Sequence, residues 1–472
     1  MFGQKKTYEC FSQDTLWSMN DKIYTQDKGE AWSKVPMLYT VNCKVANYYA
    51  NCIAQLMKAH PNTKAQILEL GCGLGAFSYY LHYFLKKLNV DFHITLSDMS
   101  DTSLEYLKLL PQWQDLSVDW LAIDVRKDVD LSSIGEGPLF VICNYFADSM
   151  PFIGLKKDAS GWHHATVRVD ECDKFNQENI SDFKIDVNFN TFDIEKMPRI
   201  VQELLPLYDD FDGNLNIPTV MIDFFDRIKK QRPLVYGMFN DKGFSKVDEN
   251  SYDEHFDFNV DGAIHYMVNF EAINHWVDLQ EGCHAICSSK GYSHLNFIAL
   301  GDFPSHQKTI MDSLMVGFHW RDNFDMIMES TDFLNDNTDH FNQLMGFCDY
   351  CPGVFFKLSN AFLKFAKENP GEHKKLLVLC HKIIDKLYWH PLFECDVFVI
   401  IEILIILKDS DTALKLLKAY QPFINSQYLL NLHFGVLYFS LKQFDESKKR
   451  LNLALNFNKK CPNAKKYLDL MA

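Results

Sequence analysis

Ala65-Gln66-Ile67-Leu68-Glu69-Leu70-Gly71-Cys72-Gly73-Leu74-Gly75-Ala76 decides the fold. Its apolar residues Ile67, Leu68 and Leu70 read as a buried strand of a parallel sheet, and the apolar spacing from Phe77 to Leu88 reads as a helix. Three glycines at alternate positions join the two. Strand, glycine turn and helix together make a nucleotide-binding corner. Lacking Cβ atoms, Gly71, Gly73 and Gly75 let the backbone turn tightly and lie close to a ligand. Glu69 is harder to explain as packing, because a buried carboxylate is costly unless a positive group, such as a ligand's amino group, meets it. A glycine-rich turn with no ligand is the competing reading.

The pattern E-x-G-x-G-x-G resembles the first motif of class I S-adenosylmethionine-dependent methyltransferases, where the acid and the glycine loop hold the methionine end of the cofactor. Gly71, Gly73 and Ala76 also fit G-x-G-x-x-A, a dinucleotide-binding form, so the loop by itself leaves both open.

A chain of 472 residues calls for two or three domains, and 47% hydrophobic residues supply their cores. A formal charge of −15 provides no positive field for phosphates, which argues against a general nucleic-acid binder. Thirteen cysteines in no regular framework, and no secretory apolar stretch at the start, point to a reducing cytoplasmic setting. The longest apolar run, Val397 to Leu407, is interrupted by Glu402 and too short to span a bilayer, so no membrane role is expected.

Outward from the glycine turn, residues 1–60 form a lead-in that ends in an amphipathic helix, Cys43 to Lys58, placed to cover a cofactor pocket or simply to pack. Val35 to Thr40 precede that helix. Downstream, Phe92–Asp98 reads as a strand ending in an acid that suits ribose hydroxyls. Trp120–Asp124 ends in another acid, able to accept from an adenine amino group, and Pro138–Asn144 ends in an amide. Four strands thus carry polar groups or a glycine turn at their carboxyl ends, the edge where open α/β sheets bind ligands. Residues 155–230 interrupt the alternation as an insertion, with a hairpin turning at Asp158–Gly161 and helical segments near Met197–Leu207 and Pro218–Lys229. Core strands resume at Pro233–Phe239, a turn follows at Asn240–Gly243, and Tyr266–Val277 with Leu295–Leu300 complete the sheet.

These segments resemble the MidA-like methyltransferases, a branch that includes a mitochondrial arginine methyltransferase assisting respiratory complex I assembly. The carriers are Asn144-Tyr145-Phe146-Ala147-Asp148-Ser149-Met150-Pro151, Asp241-Lys242-Gly243, Met267–Ala272 and Tyr39-Thr40, over roughly residues 30–305. The resemblance implies an α/β fold: a doubly wound, mostly parallel Rossmann-like methyltransferase sheet at 61–310 with an inserted subdomain. It also implies S-adenosylmethionine as cofactor, no metal, and a protein side chain, arginine or another nitrogen, as acceptor. Position by position, Glu69, Gly71, Gly73 and Gly75 would hold the methionine part, with Thr40 on the entry loop. Asp98 and Met99 would meet the ribose, and Asp124 and Val125 the adenine. Asn144 would sit beside the sulfonium, and Asp148 would face the acceptor as the catalytic acid or base. Tyr145 departs from the family's glutamate, and Lys242 from its tyrosine.

Residues 311–472 turn helical, and Gly435, Tyr438, Ser447, Leu451 and Ala454 fall at tetratricopeptide spacing, with a degenerate copy at Ala413 and Leu417. This α-helical repeat-like domain either binds a partner peptide or packs on the catalytic domain. Cys283, His284 and Cys287 fall in an expected core strand and read as buried thiols rather than a zinc site. Gly317–Asp322 has no assigned chemistry. The leading function is a methyltransferase. Its rivals are an interaction or assembly factor with a vestigial cofactor site, and an NAD-dependent oxidoreductase.

Overall fold

The structure, a computed structural model, describes residues 9–10, 14–25, 37–169, 185–247, 263–288, 293–316 and 338–472. Val35, Pro36 and the segment Gly317–Asp322 lie outside the described residues. The chain divides into two compact units, of which residues 42–44, 109–116 and 324–472 form the second. Among the described residues no helix is long and apolar enough to cross a membrane.

The first unit opens with β1 (Glu9–Cys10), α1 (Asp14–Tyr24) and α2 (Cys43–Met57). Strands and helices then alternate: β2 (Ala65–Glu69), α3 (Ala76–Lys87), β3 (Phe92–Asp98), α4 (Asp101–Lys108), β4 (Val118–Ala122) and β5 (Leu139–Asn144). Next come β6 (Ile153–Asp158), β7 (Gly161–Val169), β8 (Ile185–Thr191), α5 (Arg199–Leu204) and β9 (Gly213–Ile217). The unit closes with α6 (Thr219–Lys229), β10 (Leu234–Phe244), β11 (Val268–Asn269), α7 (Phe270–Leu279), β12 (Cys283–Ser288), β13 (Ser293–Gly301) and α8 (Gln307–Met315).

The main sheet has the order β12-β13-β10-β5-β2-β3-β4, with β11 beside β10. From β10 to β4 the strands are parallel, while β13 runs antiparallel to β10 and to β12. Every residue of β2 and β5 is buried, as expected of apolar strands covered on both faces. Each fully buried Ile or Leu there contributes about 1.5–3 kcal/mol by leaving water. From β2 the chain steps outward through β3 and β4, then returns to the other side of β2 as β5. That reversal makes the carboxyl ends of β2 and β5 the crevice of a doubly wound sheet. The sheet class expected from the sequence is the one observed.

The insertion strands β6, β7, β8 and β9 form, together with β1 from the N-terminal lead-in, a five-stranded antiparallel sheet. Three segments differ from expectation. Pro218–Lys229 belongs to the crossover rather than the insertion, because α6 packs on β10 and feeds it. Tyr266–Val277, expected to extend the sheet, contains helix α7: its buried Phe270, Ile273, Trp276 and Val277 recur at helical spacing. The turn expected at Asp241-Lys242-Gly243 is instead the end of β10, where Asp241 and Lys242 pair with His294 and Ser293 and Gly243 pairs with Val268.

The second unit is helical: α9 (Thr338–Phe347), α10 (Pro352–Glu368), α11 (His373–Ile384), α12 (Glu394–Ile406), α13 (Ser410–Tyr420), α14 (Gln427–Ser440), α15 (Phe444–Phe457) and α16 (Pro462–Asp469). The pair α12–α13 is followed by the pair α14–α15 at a displacement of about 34 residues, the length of a helix-turn-helix repeat.

Candidate functional site

The glycine turn leaves β2 and enters α3 with all three glycines left-handed, at φ 59° for Gly71, 52° for Gly73 and 79° for Gly75. A side chain is disfavoured at such angles. At Gly71 a Cβ would also lie 2.7 Å from Cδ2 of Phe146. The turn therefore requires glycine, and the Phe146 ring packs directly on it.

Glu69 ends β2 with 4% exposure, and its carboxylate accepts the hydroxyl of Ser78 from the first turns of α3. Burial pushes its carboxyl up to about 8, against the pull of Ser78 and with some help from the charge of Asp98. The hydroxyl and backbone N–H of one serine, with no cation, are thin compensation for a buried carboxylate. Asp98, ending β3, accepts from the N–H of Gly73 at 3.2 Å and of Ser100 at 3.1 Å. Burial raises it to about 6 against those backbone bonds. The acid of β3 is thus tied to the glycine turn of β2.

A cavity at this edge is lined by Gly71, Asp98, Met99, Asp124 and Val125, all expected site residues. Asp21 and Tyr24 of α1, Arg126, Tyr145, Phe146 and Ser149 line it as well. Asp124 follows β4 by two residues and stands in the loop. Its Oδ1 accepts from Arg126 N at 3.1 Å and Nε at 2.8 Å, and its Oδ2 from Arg126 Nη2 at 3.0 Å and Lys127 Nζ at 3.1 Å. Although partial burial opposes it, this cationic company holds the carboxyl down at about 2.

After β5 the chain turns at Tyr145, left-handed at φ 46°, into a short 3-10 turn over Ala147–Ser149. Asp241 of β10 organises this turn: its Oδ2 accepts from the N–H groups of Phe146, Ala147 and Asp148 at 3.0, 2.9 and 3.2 Å. Burial first, and the neighbouring charge of Asp148 second, move the Asp241 carboxyl well up from its ordinary range. Asp148 is 3% exposed and does not line the cavity; its Oδ1 accepts from Ser149, which does, and Ser149 is 3.3 Å from the Tyr24 hydroxyl. The Lys242 ammonium stands 5.9 Å from the centre of the Tyr145 ring. Asn144 is buried, with Oδ1 accepting from Tyr49 of α2 at 3.0 Å. Its Nδ2 and the Oγ1 of buried Thr40 have no partner among the described residues.

The structure thus gathers Gly71, Asp98, Met99, Asp124 and Val125 at one cavity, while Glu69, Gly73 and Gly75 belong to the strand and turn that carry Gly71 and do not themselves line it. Asn144 precedes the Ala147–Ser149 turn and Asp148 lies within it, and neither lines the cavity. Asp21, Tyr24, Arg126 and Phe146 were missed. The first two lie on a helix far away in sequence, and only Arg126, two residues after an expected acid, left a local signal. Cys283 is buried beside Met311, while His284 pairs with Asp278 at 3.4 Å.

No family model matches the chain, and no curated protein matches it. Among solved structures, an uncharacterised protein of Burkholderia thailandensis is similar at 18% identity and TM-score 0.41, over 59% of this chain and 72% of that one. A second member of the same superfamily from that organism, bound to S-adenosyl-homocysteine, is similar at 17% identity and TM-score 0.41, over 60% and 74%. A SAM-dependent methyltransferase from Aquifex aeolicus is similar at 8% identity and TM-score 0.29, over 58% and 98%. Likenesses this weak assign no family.

Proposed function

We propose that the first unit binds S-adenosylmethionine at the β2–α3 corner and is a methyltransferase of MidA-like type acting on a protein side chain. The observation that carries this is Glu69. At a glycine turn of this kind a nicotinamide dinucleotide presents its anionic pyrophosphate, beside which the Glu69 carboxyl would have to keep its proton and could never ionise. S-adenosylmethionine presents an ammonium there, which supplies the missing positive partner. The left-handed glycines leave backbone room, and Asn144 and Thr40 hold buried polar atoms that await partners.

Bound S-adenosylmethionine supplies an activated methyl group on a sulfonium. The chain's own contribution is positioning and exclusion of water. In this reading Glu69 anchors the amino-acid end, Asp98 accepts from ribose hydroxyls, and Met99 and Val125 flank the base. Asp148 acts through Ser149: the Ser149 hydroxyl donates to Asp148, and as the methyl group transfers the acceptor nitrogen's proton would pass to Ser149 Oγ while the Ser149 proton passes to the Asp148 carboxylate. Tyr24, kept protonated by burial and by the charges of Asp148 and Asp241, closes the same chain of hydroxyls. Tyr145 with Lys242 replaces the acid and phenol of the resembling family, so the acceptor need not be a guanidinium. The helical second unit, read as tetratricopeptide-like, would present a partner peptide or substrate.

The rival reading, an interaction factor with a vestigial site, draws on Phe146 packed against Gly71 and on the saturated Asp124 carboxylate. Calorimetric titration separates the two. Micromolar binding of S-adenosylmethionine and S-adenosylhomocysteine, lost in Gly73→Arg, supports the enzyme; a folded protein that binds neither supports the interaction factor. With an acceptor in hand, Asp148→Asn is expected to reduce turnover about a hundredfold with little change in cofactor affinity. Unchanged turnover removes Asp148 from the mechanism.

A further inference from the structure

We infer that Arg126 is a positioning residue that clamps α1 across the cavity, and that the Asp21–Arg126–Asp124 chain governs how fast the cofactor enters and leaves. This rests on the cofactor reading above for its kinetic part and on geometry for the clamp itself. A carboxylate offers about four lone-pair sites. On Asp124 four donors fill them: the backbone N–H of Arg126, its Nε and Nη2, and the Lys127 ammonium. Three of the four donors belong to Arg126 and the fourth is an ammonium on a side chain 78% exposed, so Asp124 is committed chiefly to Arg126 rather than to an adenine amino group, the role its position suggested. Its task is to aim the guanidinium.

The opposite edge of that guanidinium is aimed at α1. Arg126 Nη1 donates to both oxygens of Asp21, at 3.1 and 2.9 Å. Asp21, Arg126 and Asp124 all line the cavity, and their side chains are only 34%, 26% and 17% exposed. Two carboxylates on one planar guanidinium, partly withdrawn from water, make a stronger link than an exposed pair. Elsewhere α1 is held by other means: Asn20 exchanges two hydrogen bonds with Ile264, at 2.7 and 2.8 Å, and Trp17, Met19 and Ile23 sit in an apolar cluster with Phe152 and Tyr266. The helix thus has an apolar side that stays anchored without the clamp. On its cavity side Asp21 meets the guanidinium and the Tyr24 hydroxyl lies 3.3 Å from Ser149 Oγ. Breaking the Asp21 link frees the cavity edge of α1 without removing its fold.

The experiment uses the full chain with S-adenosylhomocysteine as probe, in wild type, Asp21→Asn and Arg126→Lys. Stopped-flow displacement is expected to show association and dissociation both about tenfold faster in Asp21→Asn, with Kd changed less than about threefold. Arg126→Lys, which keeps the charge but loses the two-sided fork, should lie between. Raising salt to about 0.5 M should speed exchange in wild type and not in Asp21→Asn, because the screened pair is already gone. A residue that merely stabilised the fold would lower Tm and leave this salt dependence intact. Hydrogen exchange without ligand reads the clamp separately: amides of residues 14–24 should lose protection in Asp21→Asn while those of α3 keep it. Equal exchange rates in wild type and Asp21→Asn, or unchanged α1 protection, overturn the inference. A wild type that binds no S-adenosylhomocysteine overturns the cofactor reading and the kinetic part with it, and α1 protection then decides the clamp alone.

Discussion

Glu69 sets the pH behaviour of the site. Its carboxyl stands at about 8 in the fold against an ordinary 4.5, because burial penalises the charge. Below the ordinary value both folded and unfolded chains hold the proton, so Glu69 costs nothing. Above it the unfolded chain gives the proton up first, so stability falls with rising pH until about 8, where the folded chain gives the proton up too. Asp98, raised from 3.8 to about 6, acts with the same sign at lower pH. The ligand-free protein should therefore lose Tm from about pH 4 to about pH 8 and level off above that, and Glu69→Gln should flatten the slope between about pH 6 and about pH 8, where Asp98 no longer contributes. A ligand ammonium favours the ionised carboxylate, so binding near neutral pH should expel a proton. Calorimetry in two buffers of different ionisation enthalpy would detect it in wild type and not in Glu69→Gln. Equal slopes in the two proteins would mean that the carboxylate is already compensated, and the case for a cationic ligand would fall with it.

At the scale of elements, the turn after β5 depends on a strand remote in sequence. Asp241 of β10 gathers three N–H groups of Phe146–Asp148 on one oxygen. Removing that oxygen orphans three donors, two of them at buried residues. Asp241→Ala is thus expected to cost about 3 kcal/mol or more in urea unfolding and to free the Phe146 ring from Gly71. Asp241→Asn keeps an acceptor for these three donors and relieves the repulsion with Asp148, but turns its amide toward the Lys242 N–H that Oδ1 accepts at 2.9 Å, so it should cost less than Ala, about 1–2 kcal/mol. If Asn is as damaging as Ala, the negative charge itself holds the turn. Here the limit of the sequence is visible. The glycine turn, the acid of β3 and the parallel strands were legible, because each is written in adjacent residues: an apolar run, then a polar group. The Asp241–Phe146 bonds were not, since nothing local distinguishes a capping Asp from a turn Asp in Asp241-Lys242-Gly243. Helix α7 was misplaced because its aromatic and β-branched residues also suit a strand. Helix α1 was overlooked because its site residues, Asp21 and Tyr24, acquire meaning only opposite Arg126 and Ser149.

On the scale of the whole molecule, the second unit builds its own cores from successive helix pairs, and one glycine tests how closely they pack. Gly435 lies in the middle of α14, where alanine would normally stabilise a helix by about 0.5–1 kcal/mol. Packing opposes that gain. A Cβ on Gly435 would sit 2.6 Å from both Cγ and Cδ2 of Leu451 on α15 and 3.2 Å from its backbone nitrogen. Leu451 is fully buried, and Ser447 donates to the Gly435 carbonyl at 2.7 Å, so α15 is pinned at the same place and cannot retreat freely. Overpacking of this kind costs about 1–3 kcal/mol, which outweighs the propensity gain. Gly435→Ala should therefore lower the stability of α14 and α15 by about 1–2 kcal/mol, read as faster hydrogen exchange there. Amides of β2 and α3, and the affinity for S-adenosylhomocysteine, should not change. A stabilised Gly435→Ala would mean that the helices of this pair do not approach as closely as a repeat unit requires. The tetratricopeptide reading would then lose its main packing contact, and with it the reason to look for a partner peptide on this unit.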